Sequence, residues 1–246
     1  MRYLILSDIH ANWDALEAVL QDSNGLYDQI LCCGDLAGYG PDPNTVLDWA
    51  RTSLTAVIRG NHDRACAGLD DLEWFSPAAK TAALWTRRQL SSENLAFLHD
   101  LPRGPVELDG FALVHGSPLD EDEYVTTRDE AANVFPYVPK SLIFFGHTHI
   151  QCVFSRQGDA VDARYLPCAQ GTEGRLMLSP DAAYLINPGS VGQPRDSDYR
   201  AAYLIYDTES SSVSFHRTVY DHEKTRLRII AAGLPLSLGN RLSAGR

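Results

Sequence analysis

Through the first sixty residues, short continuous apolar runs alternate with amphipathic stretches. Leu4-Ile5-Leu6, Ile30-Leu31-Cys32-Cys33 and Ala56-Val57-Ile58 are the runs. Between them Leu16, Val19 and Leu20 fall at helical spacing, as do Val46, Leu47 and Ala50 in a stretch that begins near Asn44. Runs of this length predict buried strands, and the spaced positions predict helices. A β-α-β-α-β series follows, which calls for parallel strands joined by crossover helices. Strands covered on both faces lack polar alternation, as these do.

Residues 64–109 read as helical and irregular. Ser76-Pro77 is a helix start, with Ser as cap and Pro in the first turn, leading through Ala83, Leu84 and Leu90. A second short helix is predicted over 92–99, ending before Pro102. Residues 111–114 and 141–145 predict strands, and 130–137 a helix bounded by Pro136 and Pro139. Beyond residue 150 the texture becomes that of short strands separated by turn residues, at 151–155, 160–165, 175–178, 183–186, 201–206 and 213–217, a mostly antiparallel half. Asp221 caps a final helix that runs through Ile230 and stops near Gly233 and Pro235. The simplest organisation is one α/β domain over residues 1–246, with two sheets, flanking helices and residues 64–109 as a helical lid.

A hydrophobic content of 44% suits an ordinary globular core, and the longest apolar runs are too short to cross a bilayer. The opening residues resemble a signal peptide only superficially, because Asp8 ends the apolar stretch and no small-residue cleavage site follows. The expected location is cytoplasmic. Cys32, Cys33, Cys66, Cys152 and Cys168 form an odd set with no repeated C-x-x-C spacing, and a packing role is expected for them. The formal net charge of −11 argues against an extended nucleic-acid surface. It does not exclude a small anionic substrate. The basic residues near the C-terminus, Lys224, Arg226, Arg228, Arg241 and Arg246, read as a solvated face.

Five islands carry the chemistry: Asp8-Ile9-His10, Gly34-Asp35, Gly60-Asn61-His62-Asp63, His115-Gly116 and Gly146-His147-Thr148-His149. Each follows an apolar run, and side chains at the carboxyl ends of parallel strands converge on a shared crevice. The islands offer more ligands than one ion needs. Mixed oxygen and imidazole donors suit Mn²⁺, Fe, Zn²⁺, Ni²⁺ or Co²⁺, and a pair of such ions is an engine for phosphoryl transfer. Asp-x-His or Gly-Asp alone says little. The ordered set, each member at a strand end, is what points to a dinuclear hydrolase.

In this order the islands resemble the calcineurin-like metallophosphoesterases. The resemblance implies a two-sheet β-sandwich flanked by helices, in four layers α/β/β/α. It implies that Asp8, His10 and His149 hold one divalent metal, that Asn61, His115 and His147 hold a second, and that Asp35 bridges them. Mn²⁺ is the expected ion, and a metal-bridging hydroxide the expected nucleophile. His62 is then no ligand but orients the phosphoryl group and donates a proton to the leaving oxygen, with Asp63 steadying it by a hydrogen bond. Gly34 to Pro41 and the segment Asn187-Pro188-Gly189-Ser190-Val191-Gly192 look like those of the small bacterial and archaeal phosphodiesterase-type members. The serine/threonine phosphatase branch carries an Arg soon after Gly-Asp and a Glu where this chain has Asp63, and both are absent here. A small nucleotide or other small phosphoester is the expected substrate, for a phosphodiesterase or a phosphatase. A protein phosphatase and a non-catalytic scaffold of the same fold are the alternatives.

Around the islands, Arg195, Tyr39 and Arg64 are candidate substrate contacts, and Asp196 and Tyr199 share the Arg195 loop. His99, His216 and His222 lie outside the pattern and read as partly exposed residues, whereas Trp74 and Trp85 read as packing residues. The sequence is compatible with a homo-oligomer.

Overall fold

A computed structural model describes residues 1–138, 140–166 and 174–246 of the chain. Strand β1 (Arg2–Leu6) lies parallel to β2 (Gln29–Cys32), with Leu4 opposite Ile30, and β2 lies parallel to β3 (Ala56–Val57). Helices α1 (Trp13–Asp22) and α2 (Pro43–Ser53) make the crossovers. Asn12 caps α1 by accepting from the Ala15 N–H at 3.2 Å. The alternation of β1 sorts its side chains. Leu4 and Leu6 join the core under the helices with Leu16 and Val46, while Ile5 faces the other way.

Helices α3 (Asn61–Ala67), α4 (Pro77–Gln89) and α5 (Ser92–Asp100) follow. They account for most of residues 64–109, and their Cys66, Ala83 and Leu98 are buried in the same core as Leu4. Of this stretch, Arg64 and residues between 70 and 79 reach the cleft described below. Strand β4 (Val106–Glu107), not anticipated from the sequence, pairs with β5 (Ala112–Leu113). Helix α6 (Arg128–Val134) begins two residues before its expected start because Thr127 caps it. The Thr127 hydroxyl accepts from the Glu130 N–H at 3.2 Å, and the Glu130 carboxylate accepts from the Thr127 N–H at 2.9 Å, a reciprocal box.

Strands β6 (Leu142–Phe144), β7 (Gln151–Gln157), β8 (Ala160–Tyr165) and β10 (Ala183–Pro188) complete one sheet in the order β4-β5-β6-β10-β7-β8. The antiparallel strands β9 (Gly174–Met177), β11 (Ala201–Asp207) and β12 (Ser212–Thr218) extend the first sheet, giving β3-β2-β1-β11-β12-β9. Ile5, Leu31, Leu204 and Phe215 from that sheet meet Phe111, Phe144 and Ile186 from the other in one buried cluster. On its outer face the second sheet packs Ile143 and Phe145 against Ala131 and Val134 of α6. The layers are therefore helix, sheet, sheet, helix, and burying each such side chain contributes about 1.5–3 kcal/mol.

The C-terminal part corrects one expectation. Helix α7 (His222–Ala231) starts at Asp221 as expected, but Pro235 opens a further helix, α8 (Leu236–Asn240), instead of closing the chain's helical structure. Leu238 and Leu242 pack with Ile229 and Tyr39, which brings this end of the chain over the first sheet's loops. Cys32, Cys33, Cys66 and Cys152 are free and buried, and burial pushes all four thiols above their ordinary range. Cys168 and Pro139 lie outside the described residues. Among the described residues no helix is long and apolar enough to cross a membrane.

Candidate metal centre

The loops that leave β1 and β2 run side by side. Asp8 N–H donates to Gly34 O at 3.0 Å, His10 N–H to Asp35 O at 2.9 Å, and Ala11 N–H to Leu36 O at 2.8 Å. This brings Asp8, His10 and Asp35 together at the carboxyl end of one sheet. From the other sheet, β5 delivers His115 and β6 delivers His147 and His149. The turn after β10 joins the two groups. Ser190 Oγ donates to Asp8 O at 2.8 Å, and Asn187 Nδ2 donates to Gly146 O at 2.8 Å and to Thr148 Oγ1 at 3.0 Å. These second-layer partners, Asn187 and Ser190, were visible in the sequence only as an Asn-Pro-Gly-Ser turn.

Asp8, His10, Asp35, His147 and His149 all have positive φ, between 50° and 66°. A non-glycine residue there costs about 1–3 kcal/mol, and such outliers gather at functional sites. Neighbouring glycines leave the room these loops need. A Cβ on Gly34 would stand 2.7 Å from Gly60 N and 2.8 Å from His115 Nδ1, and one on Gly60 would run into the Asp35 carboxylate.

Two groups of donors result, each drawing on both sheets. Asp8, His10, Asp35 and His149 bring ligand atoms within 4.8 Å of one another, and so do Asp35, His115 and His147. Asp35 is common to both. Its Oδ2 is buried without a hydrogen-bond partner and lies 3.5 Å from both His10 Nε2 and His115 Nε2. Asn61 adds Oδ1 at 3.2 Å from His115 Nε2.

Tautomers test whether these residues fit a cation. His10 Nδ1 donates to Ala37 O at 3.1 Å and His149 Nδ1 donates to Gln193 O at 2.6 Å. Both rings, when neutral, therefore present a bare Nε2 lone pair, and the two Nε2 atoms face each other at 3.1 Å. Two acceptors so placed repel unless something positive lies beside them. His147 Nε2 is engaged by Asp122 O at 3.2 Å, leaving Nδ1 as its free donor atom. A carbonyl that fixes the tautomer of a ligating imidazole is the usual outer support of a metal site. The donor set fits divalent cations.

Charge follows the same geometry. Burial draws His10 and His149 below the ordinary imidazole range, and burial with the nearby His115 charge takes His147 down to about 3. His115 runs opposite: burial pulls it down, but the carboxylates of Asp35 and Asp8 outweigh this and hold it up at about 10. A proton on its Nε2 then satisfies the acceptors around it, which is the service a cation would perform. Asp8 and Asp35 are pushed upward by burial, yet the surrounding imidazoles hold both below the usual carboxylate range.

The structure places His62 at the wall of a cleft of about 570 Å³ over the donors. Its ring contacts His10 at 4.9 Å, Tyr39 at 4.3 Å and Phe75 at 5.0 Å between centroids, and burial draws it down to about 4. Its Nδ1 has no hydrogen-bond partner. Asp63 therefore does not steady His62 in the way expected. Its carboxylate accepts from the N–H of Asp35 at 2.8 Å, Ala37 at 3.0 Å and Gly60 at 3.1 Å. The reason is that α3 begins at Asn61, which makes Asp63 a first-turn residue aimed back at the helix start and the Asp35 loop. Burial and the neighbouring Asp35 charge raise it to about 7.

Among the candidate substrate contacts, Tyr39 and Arg195 line the cleft, and the Arg195 guanidinium reaches the Tyr39 hydroxyl at 3.4 Å. Arg64 also lines it, but its guanidinium is committed to Asp70, Glu121 and Asp122. It thereby clasps the 116–124 segment from within the cleft's lining. Asp196 pairs with Arg217, and the Tyr199 ring contacts His222 at 4.8 Å. Trp74 is no packing residue: it is 96% exposed at the cleft's lip. Trp85 packs against the Tyr39 cluster. His216 is buried against the Tyr203 ring, not partly exposed. The basic C-terminal residues also divide. Lys224 and Arg228 pair with Asp14 and Arg226 with Glu223, but Arg241 and Arg246 line the cleft.

A family model described as the calcineurin-like phosphoesterase superfamily domain matches residues 1–211. An uncharacterized protein of Methanocaldococcus jannaschii is 38% identical over 248 residues, covering 98% of this chain and 97% of that protein. A metallophosphoesterase crystal structure from Sphaerobacter thermophilus superposes with a TM-score of 0.87 at 40% identity, covering 100% of this chain and 99% of that one. A hypothetical protein from Pyrococcus horikoshii shares the fold at a TM-score of 0.79 and 21% identity, over 100% and 98% of the two chains.

Proposed function

The chain belongs to the calcineurin-like phosphoesterase superfamily, and from that premise we propose that it is a dinuclear, divalent-metal-dependent phosphoric ester hydrolase of small phosphoesters. The observation that carries this reading is the Asp35 carboxylate, buried and shared by two donor groups, with an unpartnered oxygen 3.5 Å from an imidazole of each. Asp8, His10 and His149 would hold one cation and Asn61, His115 and His147 the other, with Asp35 serving both. When bound, such a pair supplies a hydroxide nucleophile at neutral pH and positive charge for the phosphoryl oxygens, and Mn²⁺ is the ion expected first.

The chain's own residues supply the rest. The cleft's volume lies within the range of small-molecule sites, and the net charge of −11 disfavours a long polyanion. His62 enters neutral, and the negative charge of a phosphoryl group bound beside it raises its affinity for a proton. In the reaction an oxygen from water joins phosphorus as that water's proton passes to solvent, and the ester P–O bond breaks. His62, which takes up a proton from solvent once the phosphoryl group is bound, delivers it to the departing oxygen. Tyr39 and Phe75 hold the imidazole against the cleft wall from two sides. Asp63, buried on three amides, keeps Asp35 in register with α3.

Protein loaded with Mn²⁺ is expected to cleave bis(p-nitrophenyl) phosphate or p-nitrophenyl phosphate. His62→Ala should lower kcat by about 10²–10⁴-fold while metal content, measured by elemental analysis, is retained. Full activity in that variant would remove His62 from the reaction. Loaded protein that turns over no small phosphoester would remove the hydrolase reading.

A further inference from the structure

The cleft carries a charge opposite to that of the chain. Arg64, Arg195, Arg241 and Arg246 line it against Asp70 and Asp122, in a protein of net charge −11. The two acids are already spent on Arg64. The other acids nearby are spent too, Asp196 on Arg217 and Asp198 on Arg200. Arg195 and Arg241 have no carboxylate partner among the described residues. Instead both guanidiniums donate to one neutral oxygen, Gln193 Oε1, at 3.3 Å and 3.1 Å. Two cations that converge on a single amide oxygen repel each other, and a cleft lined by one sign of charge concentrates the opposite ion.

Their placement is built rather than incidental. Arg195 is tied to the donor cluster through its backbone, which donates to His149 O at 3.2 Å. Arg241 closes α8 and lies over the Tyr39 ring, 6.0 Å from its centroid. Helix α8 is pressed onto α7 where Gly239 meets Arg226: a Cβ there would stand 2.8 Å from Arg226 Cγ. The segment that follows is held to the 195–198 loop by the Ser197 N–H, which donates to Gly245 O at 2.9 Å. Tyr39 touches His10 and His62 with the same ring that carries Arg241, so the guanidinium pair sits one aromatic ring beyond the histidines.

We propose that Arg195 and Arg241 form a second anion subsite, and that the substrate carries, besides the scissile phosphoryl group, a further phosphate that this pair grips. Paired guanidiniums match phosphate oxygens with forked, charge-assisted hydrogen bonds. The substrate class is then a bisphosphorylated small molecule, in place of a phosphoester with an uncharged remainder. This inference rests on the hydrolase reading for the scissile group and adds a residue, Arg241, that the chain's local pattern marks only as surface.

The test compares two thymidine 5′-(p-nitrophenyl phosphate) esters that differ only by a phosphate on the 3′-oxygen, using Mn²⁺-loaded protein. The doubly phosphorylated ester is expected to show kcat/KM about tenfold higher, carried by KM. Arg195→Met and Arg241→Met should each bring that ratio close to one with an unchanged melting temperature, and Arg241→Met decides alone if Arg195→Met does not fold. Arg128→Met, which removes the exposed partner of Asp129 away from the cleft, should keep the wild-type ratio. Equal cleavage of both esters, or a preference that survives in Arg241→Met, overturns the subsite and leaves the hydrolase reading standing. If neither ester is cleaved, the hydrolase reading fails. The subsite is then judged by calorimetric titration of inorganic phosphate into metal-free protein: binding about tenfold weaker in Arg241→Met supports it, and equal binding overturns it.

Discussion

His115 shows how a single buried ring reports on its surroundings. With Nδ1 donating to Cys33 O at 2.7 Å and Nε2 facing Asn61 Oδ1 and Asp35 Oδ2, it is held up at about 10, burial being outweighed by Asp35. Below that value the metal-free ring is charged, whereas a ligating imidazole must be neutral. Cation binding at pH 7.5 should therefore release about one proton from His115, and affinity should rise with pH up to about 10. Calorimetry of Mn²⁺ binding in buffers of different ionisation enthalpy measures this, and a buffer-independent enthalpy would contradict it. At this scale much of the donor set was legible, since Asp8, His10, Asp35, Asn61, His115, His147 and His149 announce themselves by residue type and place. The direction of Asp63 was not legible: two of the three amides it accepts from belong to Asp35 and Ala37 on another loop, so no local pattern distinguishes a carboxylate aimed at an imidazole from one aimed at amides.

Among elements, α3 and the 116–124 segment do the positioning. Arg64 on α3 holds Glu121 and Asp122, and the Asp122 carbonyl in turn fixes the tautomer of His147. Breaking a partly buried cluster of this kind costs about 1–3 kcal/mol. Arg64→Met is expected to lower the melting temperature by several degrees and to weaken the metal equivalent that depends on His147 more than the one held by His10 and His149. Competitive metal titration with a chromophoric chelator separates the two, and uniform weakening of both would show that Arg64 acts only on global stability. The β-α-β-α-β start, the Ser76 and Asp221 caps of α4 and α7 and the antiparallel later strands follow from periodicity and turn chemistry. Helix α8 was missed because Pro235 reads equally as the end of one helix or the approach to another. Leu238 and Leu242 decide it only through contacts with Ile229 and Tyr39, made across more than a hundred residues in the case of Tyr39. Arg241 was lost with that helix.

Over the whole molecule, each donor group takes ligands from both sheets. Asp8, His10 and Asp35 come from the β1–β2 end, and His115, His147 and His149 from the β5–β6 end. Cations bound there would tie the two sheets together at their carboxyl ends, next to a cleft whose Arg-rich wall reverses the chain's net charge. The central claim is that one carboxylate serves two cations, and metal stoichiometry tests it most directly. Elemental analysis after dialysis against Mn²⁺ should find two equivalents per wild-type chain, and Asp35→Asn should lose affinity at both sites by about 10-fold or more. A wild-type chain that binds a single equivalent, or an Asp35→Asn variant that retains two with unchanged affinity, would contradict it.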